Sequence, residues 1–98
     1  MQLVALYRPP EDKEAFLHRY RTEHLPLVAR MPGLLGMAAG PLEGLGVELP
    51  YWYMATLDFP DRDTLMASQR SPESRAALRA LMAFAQGLVD FAVREVEA

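Results

Sequence analysis

One amphipathic segment, Glu14 to Gly33, limits most strongly how this chain can fold. At about 3.6 residues per turn, its apolar side chains form one stripe and most of its charged side chains lie opposite. The stripe consists of Phe16, Tyr20, His24, Leu27, Val28 and Met31. A titratable imidazole, that of His24, therefore points toward the expected core. Because Pro26 removes a helical donor, we expect the helix to kink or restart there, and Pro32-Gly33 to end it.

The composition excludes several classes of function. The chain contains no cysteine, which excludes disulfides, thiolate catalysis and Cys-based metal sites. Its formal net charge is -3 and no basic cluster recurs on one face, so we expect no nucleic-acid partner. The longest apolar runs are too short to span a membrane, and the N-terminus lacks the features of a signal peptide. These observations predict a cytoplasmic protein with no membrane contact.

The length predicts one domain, residues 1–98. A chain this short buries only roughly two-thirds of the surface that it exposes when unfolded. We therefore expect no deep cavity within a single subunit, whereas a cavity at a subunit boundary is easier to form.

The predicted elements follow the order β-α-β-β-α-β. Strands are expected at Gln2–Arg8, Leu34–Leu42, Tyr51–Phe59 and Leu88–Val96, a loop at Glu43–Pro50, a short helix at Asp61–Arg70, and a second main helix from Ser71-Pro72 to about Gln86. This order is typical of the split βαβ, ferredoxin-like α+β fold, in which two helices cover one face of a four-stranded antiparallel sheet.

The strand patterns indicate that the second face of the sheet is also covered. In the third strand, Tyr53, Ala55 and Leu57 alternate with Trp52, Met54 and Thr56, so both sides are largely apolar. A face exposed to water would carry charged residues in alternation. We therefore predict a homodimer formed through the sheet faces.

Several short motifs connect the chain to a known family. They are Tyr7-Arg8-Pro9-Pro10, Asp12, Ala15-Phe16, Tyr20, His24-Leu25-Pro26-Leu27, Pro32-Gly33-Leu34, Ser71-Pro72-Glu73 and Phe84-Ala85. With this spacing the chain resembles, over essentially its whole length, an EthD-type domain of the dimeric α/β-barrel superfamily. The resemblance implies two ferredoxin-like subunits that pack sheet to sheet.

The resemblance also implies a kind of site. Members of the family accompany degradation of ethyl tert-butyl ether and are often labelled oxidoreductases, without a nicotinamide or flavin motif. The superfamily includes cofactor-free methylmuconolactone isomerases, polyketide-type cyclases and oxygenases, in which a helix histidine beside tyrosines faces a pocket. His24 and Tyr20 match that pattern directly and are the expected catalytic residues. Tyr7 and Tyr53 match it by inferred position and, with Trp52, are the expected substrate contacts.

Each of these residues also has a structural interpretation. His24 fits a general base near neutral pH, but it fits equally a buried neutral histidine bonded to a backbone carbonyl near Pro26. Tyr20 and Trp52 are also typical of packing residues. His18 and His24 are six positions apart, on different helix faces, so we expect no metal site. Leu49 follows the Gly44-Leu45-Gly46 loop where a dinucleotide motif needs glycine, so we expect no cofactor.

Two classes of function remain, with a structural dimer as a third possibility. The first is a small cofactor-independent enzyme acting on a small apolar carbonyl, lactone or aromatic catabolic intermediate. In it His24 is the general base and a tyrosine hydroxyl orients or protonates the oxygen. The second is a non-catalytic ligand-binding or accessory subunit of a degradation pathway. A pocket lined by Tyr7, Tyr20 and His24 favours these two, whereas tight packing around His24 favours the third.

Overall fold

Four antiparallel strands form one sheet with helices on one of its faces. The computed structural model describes residues 1–97. The strands are β1 (Gln2–Tyr7), β2 (Gly36–Pro41), β3 (Tyr53–Asp58) and β4 (Val89–Arg94). Their order across the sheet is β2-β3-β1-β4, and each neighbouring pair is antiparallel. This is the ferredoxin-like α+β topology expected from the sequence, although each strand is shorter than predicted.

The helices begin where side chains satisfy their first backbone donors. They are α1 (Lys13–Arg19), a π-helical segment (Tyr20–His24), α2 (Leu25–Val28), α3 (Arg62–Gln69) and α4 (Pro72–Ala85). Asp12 accepts a hydrogen bond from the backbone N–H of Ala15 at 3.0 Å, and Ser71 accepts one from that of Ser74 at 3.1 Å. Such caps stabilise helix starts by about 1 kcal/mol each. Gly87, with a φ of 80°, follows the end of α4.

The expected disturbance near Pro26 takes the form of a widened turn. The backbone N–H of Leu25 donates to the carbonyl of Tyr20, five residues earlier, which defines a π-helical turn. Pro26 has no N–H, and in a regular helix its ring would clash with the carbonyl of Thr22. The wider turn lies immediately before that proline. It carries both Tyr20 and His24, the two residues of interest on the first helix.

An aromatic cluster forms the core beneath the first helix. The ring of Tyr7, on the central strand β1, lies 5.7 Å from that of Phe16, 5.6 Å from that of Tyr20 and 6.3 Å from that of Tyr53. All three pairs meet edge to face, a favoured geometry worth about 1 kcal/mol per pair. Tyr7 is thus held between the first helix and the neighbouring strand.

Trp52 does not lie where the alternation predicted. Its ring packs 5.6 Å from that of Phe16 and 5.1 Å from that of Tyr53, on the helix side of the sheet. The prediction placed it on the opposite face with Met54 and Thr56. The backbone N–H of Trp52 donates to the Tyr7 carbonyl at 2.8 Å, while the strand register pairs Tyr7 with Tyr53. Two consecutive residues therefore lie opposite one, as at a β-bulge, which breaks the alternation and leaves Trp52 on the same side as Tyr53.

The other face of the sheet has an apolar centre between two polar rows. Its centre consists of half-buried Val4, Leu6, Met54 and Thr56 with the small residues Ala38, Gly40 and Ala92. At one end, Gln2 bonds to Asp58 at 2.7 Å and accepts from Arg94 Nε at 3.0 Å. At the other end, Asp90 accepts from Arg8 at 2.5 Å and from Tyr51 at 2.7 Å. An apolar centre with polar edges is typical of a protein interface.

This face predicts a homodimer. Light scattering coupled to size exclusion should report twice the chain mass, and Val4→Glu should shift the protein to monomer because a carboxylate would be buried without a partner. Ala83→Glu, on the exposed side of α4, should leave the mass unchanged. A wild-type protein that runs as a monomer at micromolar concentration would contradict the prediction.

Candidate functional site

A cavity of about 280 Å³ lies between the helices and the sheet. It opens to the surface beside the exposed side chains of Leu78 and Phe91. The chain length predicted no deep cavity within one subunit, and the register of the strands explains why one forms. Ala5 and Ala55 face each other on β1 and β3, so two methyl groups occupy the floor where larger side chains would fill the space.

His24 lies on the cavity wall with one ring nitrogen fixed. Its Nδ1 lies 2.9 Å from the carbonyl oxygen of Ala77 on α4, and only 7% of the residue is exposed. A carbonyl can only accept a hydrogen bond, so Nδ1 carries the proton. Burial lowers the pKa of His24 and outweighs the opposing effect of the Ala77 carbonyl. The imidazole is therefore neutral at pH 7, with the lone pair on Nε2.

Tyr20 lies next to His24 with its ring centroid 5.4 Å away. Its buried hydroxyl has no partner of good hydrogen-bond geometry within residues 1–97, although the nearby Tyr7 hydroxyl partly offsets the effect of burial on the Tyr20 pKa. Burial raises the pKa of Tyr20 to about 12 and that of Tyr7 further above its ordinary value. Both phenols therefore stay protonated at neutral pH. They can donate to a ligand oxygen, but they cannot act as bases.

The structure brings three of the five predicted site residues together. Tyr7, Tyr20 and His24 all line the cavity. Tyr53 lies behind this wall, with its ring 5.7 Å from that of Tyr20, so it supports the site from the core. Trp52 packs on Phe16 outside the cavity, where the Nζ atom of Lys13 lies 5.7 Å from its ring. Neither aromatic side chain is part of the cavity wall among residues 1–97.

Three polar side chains on the wall were not predicted from the sequence. Gln69, Ser74 and Arg75 lie near the junction of α3 and α4 and line the same cavity. Ser74 shares a helix face with Ala77 and Leu81, three and seven residues later, which are both buried. The sequence feature that could have indicated a polar group on the cavity wall was this serine among the apolar positions of one helix face.

No metal site is evident in the described part of the chain. Among residues 1–97 no three His, Asp or Glu side chains lie close enough together to hold a metal ion. His18 is exposed on α1, away from the cavity wall. Within the same range, no helix has the length and apolar character needed to cross a membrane.

These features define a ferredoxin-like domain with a small apolar cavity that holds a neutral histidine and tyrosine hydroxyls. The chain belongs to the EthD domain family, which it matches over residues 8–85. It is 32% identical to an ethyl tert-butyl ether D (EthD) family protein of Bacillus halodurans, with a TM-score of 0.90 over 98% of this chain and 97% of that one. It is also 31% identical to an uncharacterised 11.0 kDa protein of the thcB-thcC intergenic region of Rhodococcus erythropolis, over 88% of this chain and 84% of the relative.

More distant structures share only the fold. A dimeric ferredoxin-like protein of unknown function from Jannaschia is 19% identical, with a TM-score of 0.74 over 97% of both chains. A mutant form of SnoaB, a cofactor-independent oxygenase of Streptomyces nogalater, is 15% identical, with a TM-score of 0.68 over 99% of this chain and 92% of that one. The neighbours thus include dimers and a cofactor-independent enzyme.

The buried neutral histidine predicts a pH-dependent stability. Below about pH 6.5 the unfolded chain protonates this side chain while the folded chain resists it, so stability should fall as the pH decreases toward the lowered folded pKa. The slope from one group is at most about 1.4 kcal/mol per pH unit. His24→Gln should remove that contribution, measured by denaturant unfolding between pH 7 and pH 5. His18→Gln is the matched control, and an equal change in both variants would contradict the prediction.

Proposed function

We propose that this protein is a small cofactor-independent enzyme that moves a proton on a small apolar carbonyl, lactone or aromatic compound. The observation that carries the proposal is the state of His24. Its Nδ1 is bonded to the Ala77 carbonyl, which leaves Nε2 as the basic nitrogen of a residue that lines the cavity. A neutral imidazole with one nitrogen fixed and the other available in a cavity is suited to general-base catalysis.

The geometry supports a defined proton path. Nε2 of His24 removes a proton from the carbon next to a carbonyl, so that a C–H bond breaks and an N–H bond forms. The electron pair moves onto the carbonyl oxygen, which becomes an enolate. The Tyr20 hydroxyl donates a hydrogen bond to that oxygen, as its high pKa permits. The imidazolium then returns the proton to carbon, which gives exchange or isomerisation without a cofactor.

The surroundings of the site fit this chemistry. The wall contributed by Ala5, Ala55 and Leu57 is apolar, which strengthens the electrostatic interactions made by the few polar groups. SnoaB acts without a cofactor on the same fold, which supports a cofactor-free mechanism on this scaffold. We further propose that the protein acts in the cytoplasm as a homodimer formed through the sheet faces.

A non-catalytic ligand-binding or accessory subunit is the second candidate. The unpartnered hydroxyl of Tyr20 favours it, because a ligand oxygen would satisfy that group whether or not a reaction follows. Under this alternative the Nε2 atom of His24 only accepts a hydrogen bond from the ligand.

Deuterium exchange separates the two candidates. The wild-type protein is incubated in D₂O with cyclic ketones, aryl alkyl ketones and unsaturated lactones, and proton NMR follows the loss of the signals of the C–H groups next to the carbonyl. We expect exchange with at least one compound above the buffer rate. His24→Gln should lower it about 100-fold or more, because glutamine can bond to Ala77 but cannot act as a base at this pH.

Two controls make the result specific. Tyr20→Phe keeps the ring in the aromatic cluster and should slow exchange severalfold through the lost hydrogen bond. His18→Gln, at the exposed histidine, should leave the rate unchanged. Full exchange by His24→Gln rules out the general base, and saturable binding without exchange by the wild-type protein favours the accessory role.

A further inference from the structure

We propose that Gln69, Ser74 and Arg75 form an oxygen-binding end of the cavity, and that its ligand is a compact apolar carboxylate. This inference rests on the proposed function in one respect, namely that the cavity binds a small apolar molecule. It adds the chemical class of that molecule and three residues that select it. None of the three residues is required for the proton transfer assigned to His24.

The oxygen-binding end of the cavity is identified by buried polar atoms that lack hydrogen-bond partners. Ser74 is 3% exposed, and its Oγ makes no hydrogen bond with the described residues. The Nε2 atom of Gln69 is likewise buried and without a partner. Leaving a buried polar group unsatisfied is unfavourable, and natural proteins rarely do so without a reason. Both side chains line the cavity, so a ligand oxygen would satisfy them.

Ser74 and His24 line the same cavity, so one compact ligand can reach both. His24 bonds to the Ala77 carbonyl, and Ser74 lies three residues earlier on the same helix, which separates the two Cα atoms of that helix by about 4.5 Å along its axis. Helical carbonyls point toward the C-terminus, so the imidazole lies farther from Ser74 than this rise. A carboxylate bound at Ser74 therefore leaves room for the apolar body of the ligand between it and the imidazole.

The charges favour an anion over a neutral oxygen. Ser74 lies in the first turn of the 14-residue helix α4, where the helix dipole is positive. Arg75, an exposed residue, contributes to the cavity wall and forms no ion pair with any residue from 1 to 97. Ser74 and Gln69 supply donors and Arg75 supplies a cation, which together match the acceptors of a carboxylate. Glu73, the acidic residue of the same turn, is not part of the cavity wall.

A comparison of benzoate with its methyl ester tests the inference. The two probes share the ring, but only benzoate carries the charge. Titration calorimetry, with the protein at neutral pH, should show benzoate binding at least tenfold more tightly than methyl benzoate. Ser74→Ala should weaken benzoate binding about tenfold, and Arg75→Gln severalfold, because each removes a hydrogen bond or charge directed at an anion. Neither variant should change the affinity for the ester.

Two matched controls lie on the same helices. Ser68→Ala removes another buried hydroxyl without a partner, but Ser68 lies outside this cavity. Arg79→Gln removes the same charge one helical turn after Arg75, from an exposed residue that does not contribute to the wall. Both controls should bind benzoate as the wild-type protein does.

Three outcomes would overturn the inference: equal affinity for the two probes, equal weakening of both probes in Ser74→Ala, or no binding of either up to millimolar concentration. Ester binding, or deuterium exchange on a neutral ketone, would leave the proposed function standing while the carboxylate assignment fails. Loss of exchange in His24→Gln with unchanged benzoate selectivity would support the two assignments separately.

Discussion

The hydrogen bond between Nδ1 of His24 and the Ala77 carbonyl connects the two helical segments that line the cavity. It joins the π-helical segment to the middle of α4 at 2.9 Å, in a buried position. Because it fixes the tautomer, it also determines which ring nitrogen carries the lone pair. The π-helical turn before Pro26 carries His24, and the ring of Tyr7 packs against Tyr20 of the same turn. The chemistry of the site therefore depends on backbone geometry as much as on the identity of the histidine.

Much of the fold could be predicted because its signals are local. The alternation of Tyr53, Ala55 and Leu57 identifies the helix-facing side of β3, and the serine-proline pair at Ser71-Pro72 marks the start of α4. The form of the first helix could not be predicted in the same way. Pro26 indicates that the hydrogen-bond pattern must change, but a kink, a break and a π-helical turn all accommodate a proline. The prediction for Trp52 was wrong because Trp52 and Tyr53 both lie opposite Tyr7, a local change of register that the alternation of residues does not reveal.

The site was predictable only in part. The helical stripe and the family resemblance place Tyr20 and His24 together, and Tyr7 follows from the end of the first strand. Gln69, Ser74 and Arg75 could not be placed, because the part of α4 that faces the cavity depends on how the helices pack. The cavity itself depends on the pairing of Ala5 with Ala55, a long-range register that composition does not reveal.

The lining of the cavity favours a ligand of mixed polarity. The floor formed by the Ala5 and Ala55 methyl groups offers no hydrogen bonds. The polar atoms lie on the helix side, at Tyr20, Gln69 and Ser74. A ligand with an apolar body and one oxygen-bearing end would pack on the alanine floor and bond to these polar atoms. Its binding would stabilise the folded chain by RT ln(1 + [L]/Kd).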